Sequence, residues 1–173
     1  VEVDGKEYTA DHIIIATGSR SRQLPNIPQD GKKVIGYREA MTLKKQPKSM
    51  IVVGSGAIGA EFAHFYNAMG TKVTIVEYLP NLVPLEDEEV SKQFERSFKK
   101  AGIKVMTNAS VESVDTSGKS ITATVKTKKG EEILEAEIVL SAVGIKSNIE
   151  NIGLEEVGIV VDSDKIVVND WYQ

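Results

Sequence analysis

At residues 50–59 a short apolar run, Met50-Ile51-Val52-Val53, gives way to Gly54-Ser55-Gly56-Ala57-Ile58-Gly59. An uninterrupted apolar run of this kind suits a strand buried on both faces, as in a parallel sheet. Beyond the turn, Ile58, Phe62, Phe65, Tyr66 and Met69 recur at i, i+4, i+7, i+8 and i+11, which predicts a helix with one apolar face that Gly70 can end. Lys72-Val73-Thr74-Ile75-Val76-Glu77 predicts a second strand, so the segment is one β-α-β unit. A lone G-x-G-x-x-G is weak evidence, but here a strand precedes it, a helix follows, and Glu77 ends the next strand 18 residues past Gly59. Gly54 permits the tight turn, Gly56 lets the backbone approach a pyrophosphate, and Gly59 lets helix and strand pack closely. Free N–H groups at the helix start favour the phosphates.

Glu77 is placed to accept hydrogen bonds from the adenosine ribose and to repel the 2′-phosphate of NADP. No Arg or Lys follows in Tyr78-Leu79-Pro80-Asn81 to hold such a phosphate. The expected cofactor is therefore NAD.

A second helix is expected from about Glu86 to Lys100, acids at its start and bases at its end matching the helix dipole. Its buried stripe is expected at Val90, Phe94, Phe98 and Ala101, with Glu88/Lys92 and Glu95/Lys99 as i,i+4 pairs and Gly102 as the stop. Ile103 to Met106 follows as a third strand. From Ser110 to Glu135 the period changes to two, Ile121, Ala123 and Val125 alternating with Thr122, Thr124 and Lys126. Turns at Ser117-Gly118 and Lys129-Gly130 make this a three-stranded antiparallel meander. Ile138-Val139-Leu140 returns as a buried strand ending at Gly144. The fold class expected is α/β, a Rossmann-like three-layer ββα domain with a parallel sheet and an antiparallel meander.

Ahead of this region, Val1 to Tyr8 predicts a small hairpin around Asp4-Gly5. The run Ile13-Ile14-Ile15, stopped by Ala16-Thr17-Gly18-Ser19, predicts a strand buried on both faces. Residues 20–47 contain Pro25, Pro28 and Pro47 and are expected to be a connector with one short helix near Tyr37 to Thr42. Segments 10–18 and 136–144 share one pattern, Ala-Asp-His-Ile-Ile-Ile-Ala-Thr-Gly beside Ala-Glu-Ile-Val-Leu-Ser-Ala-Val-Gly. The second closes a unit opened by the glycine turn; the first has no such opener, which implies a first unit beginning upstream of Val1. Chance likeness between two buried strands is the other explanation.

Composition narrows the chemistry. With 21 basic and 25 acidic side chains the net charge is -4, which argues against nucleic acid or anionic membrane as the main partner. The absence of cysteine excludes a disulfide scaffold, a cysteine-ligated metal site and thiol catalysis within these residues. His12 and His64 lack the neighbours of a catalytic base, so neither catalytic nor metal-ligating residues are expected. No apolar run reaches the roughly 18 residues of a membrane span, and cytoplasm is the default expectation. Glu61, in the first turns of the dinucleotide helix, either faces the cofactor or simply complements the dipole. Thr17-Gly18-Ser19 and Gly144 each end a strand, and ligands of open parallel sheets bind beyond such ends.

Taken together, Ile15-Ala16-Thr17-Gly18-Ser19, Val53 to Glu61, Val76-Glu77 and Leu140-Ser141-Ala142-Val143-Gly144 resemble the flavin-dependent pyridine nucleotide-disulfide oxidoreductases, and within them most closely the dihydrolipoamide dehydrogenases. The resemblance implies that residues 1–47 are the C-terminal part of an FAD-binding unit plus a connector. It makes 48–145 an NAD-binding domain and 146–173 a return segment toward the FAD domain. By the same resemblance NAD rests on Gly54, Ser55, Gly56, Ala57, Ile58, Gly59, Ala60 and Glu61. Glu77 holds the ribose, Val111 borders the adenine, and the nicotinamide lies near Glu61 and Gly144. Thr17, Gly18 and Ser19 correspond to a stretch that touches FAD.

Two departures stand out: Ile145-Lys146-Ser147-Asn148 replaces an Arg and Pro common in the family, and the redox cysteine pair, the FAD glycine motif and the His-Glu pair of a dimerisation domain are absent. The implied parent is a homodimer that oxidises dihydrolipoyl groups of 2-oxoacid dehydrogenase or glycine cleavage complexes through FAD to NAD. The chain itself is expected to bind NAD(H) without being catalytically complete. Alternatives are another FAD/NADH-dependent reductase or NADH oxidase of the superfamily, or a stand-alone NAD-binding module.

Overall fold

A computed structural model describes residues 1–173, which divide into two units, 21–145 and 1–20 together with 146–173.

The larger unit begins with a loop that leads to strand β4 (Val34–Ile35) and helix α1 (Tyr37–Met41), the elements before it being β1 (Glu2–Val3), β2 (Lys6–Glu7) and β3 (Ser19–Ser21). Strand β5 (Ser49–Val53), helix α2 (Ala57–Ala68) and strand β6 (Lys72–Val76) form the β-α-β unit, followed by α3 (Glu88–Lys100) and β7 (Lys104–Met106). The meander is β8 (Ser110–Asp115), β9 (Ile121–Thr127) and β10 (Gly130–Ala136), and β11 (Ile138–Ser141) returns to the sheet. The sheet order is β4-β11-β5-β6-β7, and Val52 pairs in parallel register with Leu140 on one side and Ile75 on the other. Alternate side chains of β5 serve opposite layers. Met50 and Val52 pack with Ala60, Ala63, Tyr66 and Phe98 on the helical face, whereas Ile51 and Val53 pack with Val111, Ile121, Ala123 and Val125 of the meander. That double demand is why the strand is apolar without interruption. The three layers are therefore meander, parallel sheet and helices, as the sequence pattern predicts.

The helices differ in detail from their patterns. On α2 the buried positions are Gly59, Ala60, Ala63 and Tyr66, while Phe65 and Met69 are more than half exposed and Ile58 and Phe62 are half-buried. Small residues let the helix axis approach the sheet, so the face carrying the least bulk turns inward. Tyr66 extends past it and donates its hydroxyl to the Ala40 carbonyl at 2.5 Å. On α3 Phe98 is buried and Phe94 half-buried, but Val90 and Ala101 are exposed and Ser91 is buried instead. The Asp87 side chain caps this helix by accepting from the Glu89 and Val90 N–H groups, so it starts at Glu88 rather than Glu86. Both i,i+4 ion pairs form, at 2.7 Å for Lys92–Glu88 and 2.5 Å for Lys99–Glu95.

Strand β12 (Ile145–Ser147) falls at the division between the units; in the smaller unit β1 and β2 form the expected hairpin, and β13 (Val161–Asp162) pairs with β14 (Lys165–Ile166). The strand expected at Ile13-Ile14-Ile15 is not formed: the run is irregular and exposed, Ile14 at 90%. A strand buried on both faces needs a neighbouring strand and a covering layer, and no strand of residues 1–173 pairs with this one.

Candidate functional site

The β5–α2 turn sits at the carboxyl ends of the parallel strands. The Gly54 N–H donates to the Val76 carbonyl at 2.9 Å, holding the turn across to β6. Gly54 has φ 94°, and a Cβ there would lie 2.7 Å from the Ala142 carbonyl oxygen, so both backbone angle and contact demand glycine. A Cβ at Gly59 would overlap the Gly54 carbonyl oxygen. Gly56 is the opposite case: it is the N-cap of α2, and a Cβ would meet nothing within 4 Å. The open side of Gly56 and the uncapped first turn of α2 leave backbone N–H groups for an anion.

Glu77 follows β6 and is only 6% exposed. Its Oε2 accepts the Ser55 N–H at 2.7 Å and the Ser55 hydroxyl at 2.6 Å, and its Oε1 accepts the Leu79 N–H at 2.8 Å. A carboxylate offers about four acceptor positions. Three are used, and one on Oε1 remains.

Glycine turn and acid open onto a cavity of about 950 Å³. Gly54, Ser55, Gly56, Ala57, Ile58, Glu77, Val111 and Gly144 line it, which brings together eight of the residues singled out from sequence. Gly59 is buried under the turn. Ala60 and Glu61 are not brought into this cavity; one turn along α2, they border a separate cleft of about 470 Å³ with His64, Phe94 and Phe98. Ala57 borders both. Thr17, Gly18 and Ser19 belong to the smaller unit, where the Thr17 and Gly18 carbonyls accept from Asn148 at 3.1 and 2.9 Å. His12 is exposed, and His64 stacks on Phe98 at 6.2 Å.

Sequence reasoning missed the wall built from the connector, Leu24, Asn26 and Ile27, and the Ala109 and Val143 lining. Ile27 is fully buried and belongs to the same apolar cluster as Val53, Val76 and Val111. The single signal was an isolated apolar pair, Leu24 and Ile27, in a proline-rich stretch. No Lys or Arg lines the cavity, while Glu77 and Glu112 both do. A phosphate there must rely on backbone N–H groups and the helix dipole.

In the smaller unit, Arg20 makes a bidentate pair with Glu150, at 2.6 and 3.1 Å, and also donates to Asn148 Oδ1 at 2.8 Å. Arg20, with Lys146 at 2.7 Å, holds the Glu150 carboxyl far below the usual carboxylate range. Lys146 and Asn148, which lie in the stretch that departs from the family pattern, thus serve this cluster.

The layers, the glycine turn and the cavity at the strand ends define a Rossmann-like mixed α/β domain. The chain belongs to the pyridine nucleotide-disulphide oxidoreductase family, whose model matches residues 1–173. Its relatives include a dihydrolipoyl dehydrogenase from Rhizobium etli, 47% identical over 165 residues, covering 95% of this chain and 34% of the relative. Another, from Zymomonas mobilis, is 41% identical over 169 residues, covering 97% and 36%. Among solved structures, LpdA from Mycobacterium tuberculosis matches with TM-score 0.78 and 32% identity over 88% of this chain and 33% of that one. The HOCl-induced flavoprotein disulfide reductase RclA from Escherichia coli matches with TM-score 0.74 and 26% identity, over 89% and 35%. The chain spans about a third of the length of the curated relatives it matches.

Proposed function

We propose that residues 21–145 bind NAD(H) and that the chain is the NAD-binding part of a flavin-dependent dihydrolipoyl dehydrogenase. The observation that carries this is the Ser55–Glu77 pair at the mouth of an open glycine turn, because it couples a phosphate cradle to a ribose acceptor at fixed distance. The pyrophosphate rests on the N–H groups of Gly56, Ala57 and Ile58 at the start of α2. A hydroxyl of the adenosine ribose donates to the remaining acceptor position of Glu77 Oε1. A 2′-phosphate at that place would meet a carboxylate with no basic side chain to offset it, so NADP is disfavoured. The other end of the dinucleotide runs toward Gly144, and Glu61 is one turn along α2 from Ala57, which borders both clefts.

Hydride transfer belongs to the nicotinamide and the flavin when both are bound. The task of these residues is to hold the dinucleotide in one orientation, which removes much of the entropic cost of bringing the reacting groups together. Because the chain has no cysteine, disulfide exchange with a dihydrolipoyl substrate requires residues other than these. Titration of the chain with NADH, followed by nicotinamide fluorescence, is expected to saturate at lower concentration than titration with NADPH. Mixing the chain with dihydrolipoamide and NAD is expected to give no NADH. Absence of NADH binding by a folded chain, or measurable turnover by it, would overturn the proposal.

A further inference from the structure

We infer that Asn26 recognises the base of the dinucleotide, its amide oxygen accepting the exocyclic amino group of adenine. The inference rests on the NAD reading of the same cavity.

Asn26 lies in the connector and lines the cavity. Its Nδ2 donates to the Val111 carbonyl at 2.7 Å and to the Glu112 carbonyl at 3.2 Å. Both partners can only accept, so the amide has one admissible orientation, and its two N–H groups are committed. The oxygen is left over, with no protein donor on it. The position follows from a short series of contacts. The Glu77 carbonyl accepts the Ala109 N–H at 3.0 Å, which sets the start of β8 beside the ribose acceptor. Two residues further, Val111 is the residue that Asn26 holds. A base attached to a ribose at Glu77 therefore enters a space walled by Ala109 and Val111 with Leu24 and Ile27, all members of or packed on one apolar cluster. A flat heterocycle suits such walls, and Asn26 supplies a polar group at their edge.

The leftover group selects the base. An acceptor needs a donor, and adenine carries an amino group at C6. Hypoxanthine carries a carbonyl at that position, which would set two acceptors against each other and forfeit the hydrogen bond.

The test compares NADH with reduced nicotinamide hypoxanthine dinucleotide, whose base has a C6 carbonyl and a proton on the adjacent N1 in place of the amino group and bare nitrogen of adenine, by titration of the full chain and of Asn26→Ala. The unaltered chain is expected to bind NADH about three- to tenfold more tightly than the analogue, the range of one net hydrogen bond. Asn26→Ala is expected to bind the two within about twofold of each other, a loss of discrimination of similar size. A variant that weakens both equally would show Asn26 to be only a strut between connector and β8, and would overturn the inference. So would a lack of preference in the unaltered chain, a measurement that stands even if the variant fails to fold. A folded chain that binds neither compound would defeat the NAD reading itself, and this inference with it.

Discussion

The Glu77 carboxylate takes both hydrogen bonds that Ser55 can donate, the main-chain N–H at 2.7 Å and the hydroxyl at 2.6 Å, and is nearly sealed from solvent. One residue of the glycine turn thereby fixes the acid that ends the neighbouring strand. The pair joins two elements 22 positions apart in sequence into one rigid corner.

Replacing that acid should act on both folding and binding. Glu77→Ala leaves the Ser55 and Leu79 N–H groups without their partner, and a buried orphan donor costs about 1–3 kcal/mol. Lower stability by urea titration is expected, together with a loss of about tenfold or more in NADH affinity, since the carboxylate proposed to accept the ribose is gone. Ser55→Ala, which retains the N–H bond, is expected to show smaller losses in both measurements.

Gly59→Ala and Gly56→Ala should separate packing from ligand approach. The first forces a methyl group against the Gly54 carbonyl and is expected to lower stability by about 1–3 kcal/mol. The second adds a methyl to open space at an ordinary φ of -62°, so stability should change by less than about 0.5 kcal/mol. NADH affinity should nevertheless fall sharply in Gly56→Ala, because the methyl stands in the proposed path of the pyrophosphate. Equal thermal midpoints with unequal NADH affinities in Gly56→Ala and the parent chain are the result to look for.

Tyr66→Phe removes only the hydroxyl that reaches the Ala40 carbonyl, leaving the ring in place between α2 and the sheet. The expected cost is about 1 kcal/mol, read from chemical denaturation. No change in NADH binding is expected, as Tyr66 does not line the cavity.

Acid should loosen the turn that leads into β4. Burial pushes the Asp30 carboxyl up, but N–H bonds from Lys32 and Lys33 at 2.8 Å and Val34 at 3.0 Å outweigh it and hold its pKa below the ordinary value. A carboxyl whose pKa is lower when folded stabilises the fold above the unfolded pKa of about 3.9, and this contribution is lost as pH falls through the folded value. Stability measured between neutral pH and about pH 3 should therefore decline less steeply in Asp30→Asn than in the parent chain. Equal slopes would contradict the assignment.

The β-α-β unit, the second helix, the meander and the closing strand were all legible because their signals are local. Val52 and its neighbours must fill two layers, so β5 is uniformly apolar, whereas β9 faces a single layer and alternates Ile121, Ala123 and Val125 with polar residues. The inward face of α2 was not legible. Apolarity pointed to Phe65 and Met69, yet the sheet takes Gly59, Ala60 and Ala63, because close approach depends on the absence of bulk. Ile13-Ile14-Ile15 shows the same limit from the other side: a strand-like composition forms a strand only where partner backbone is available.

Sequence by itself determined the glycine turn, the acid at the end of β6 and the order of the elements, since each depends on backbone stereochemistry or periodicity within a few residues. Tertiary structure alone decided that the connector closes the cavity, that Asn26 spends its amide on β8, and that Glu77 is anchored through Ser55. Those contacts join residues 85 and 22 positions apart, and at such separations only the packing of layers, which no local pattern encodes, brings donor and acceptor into range.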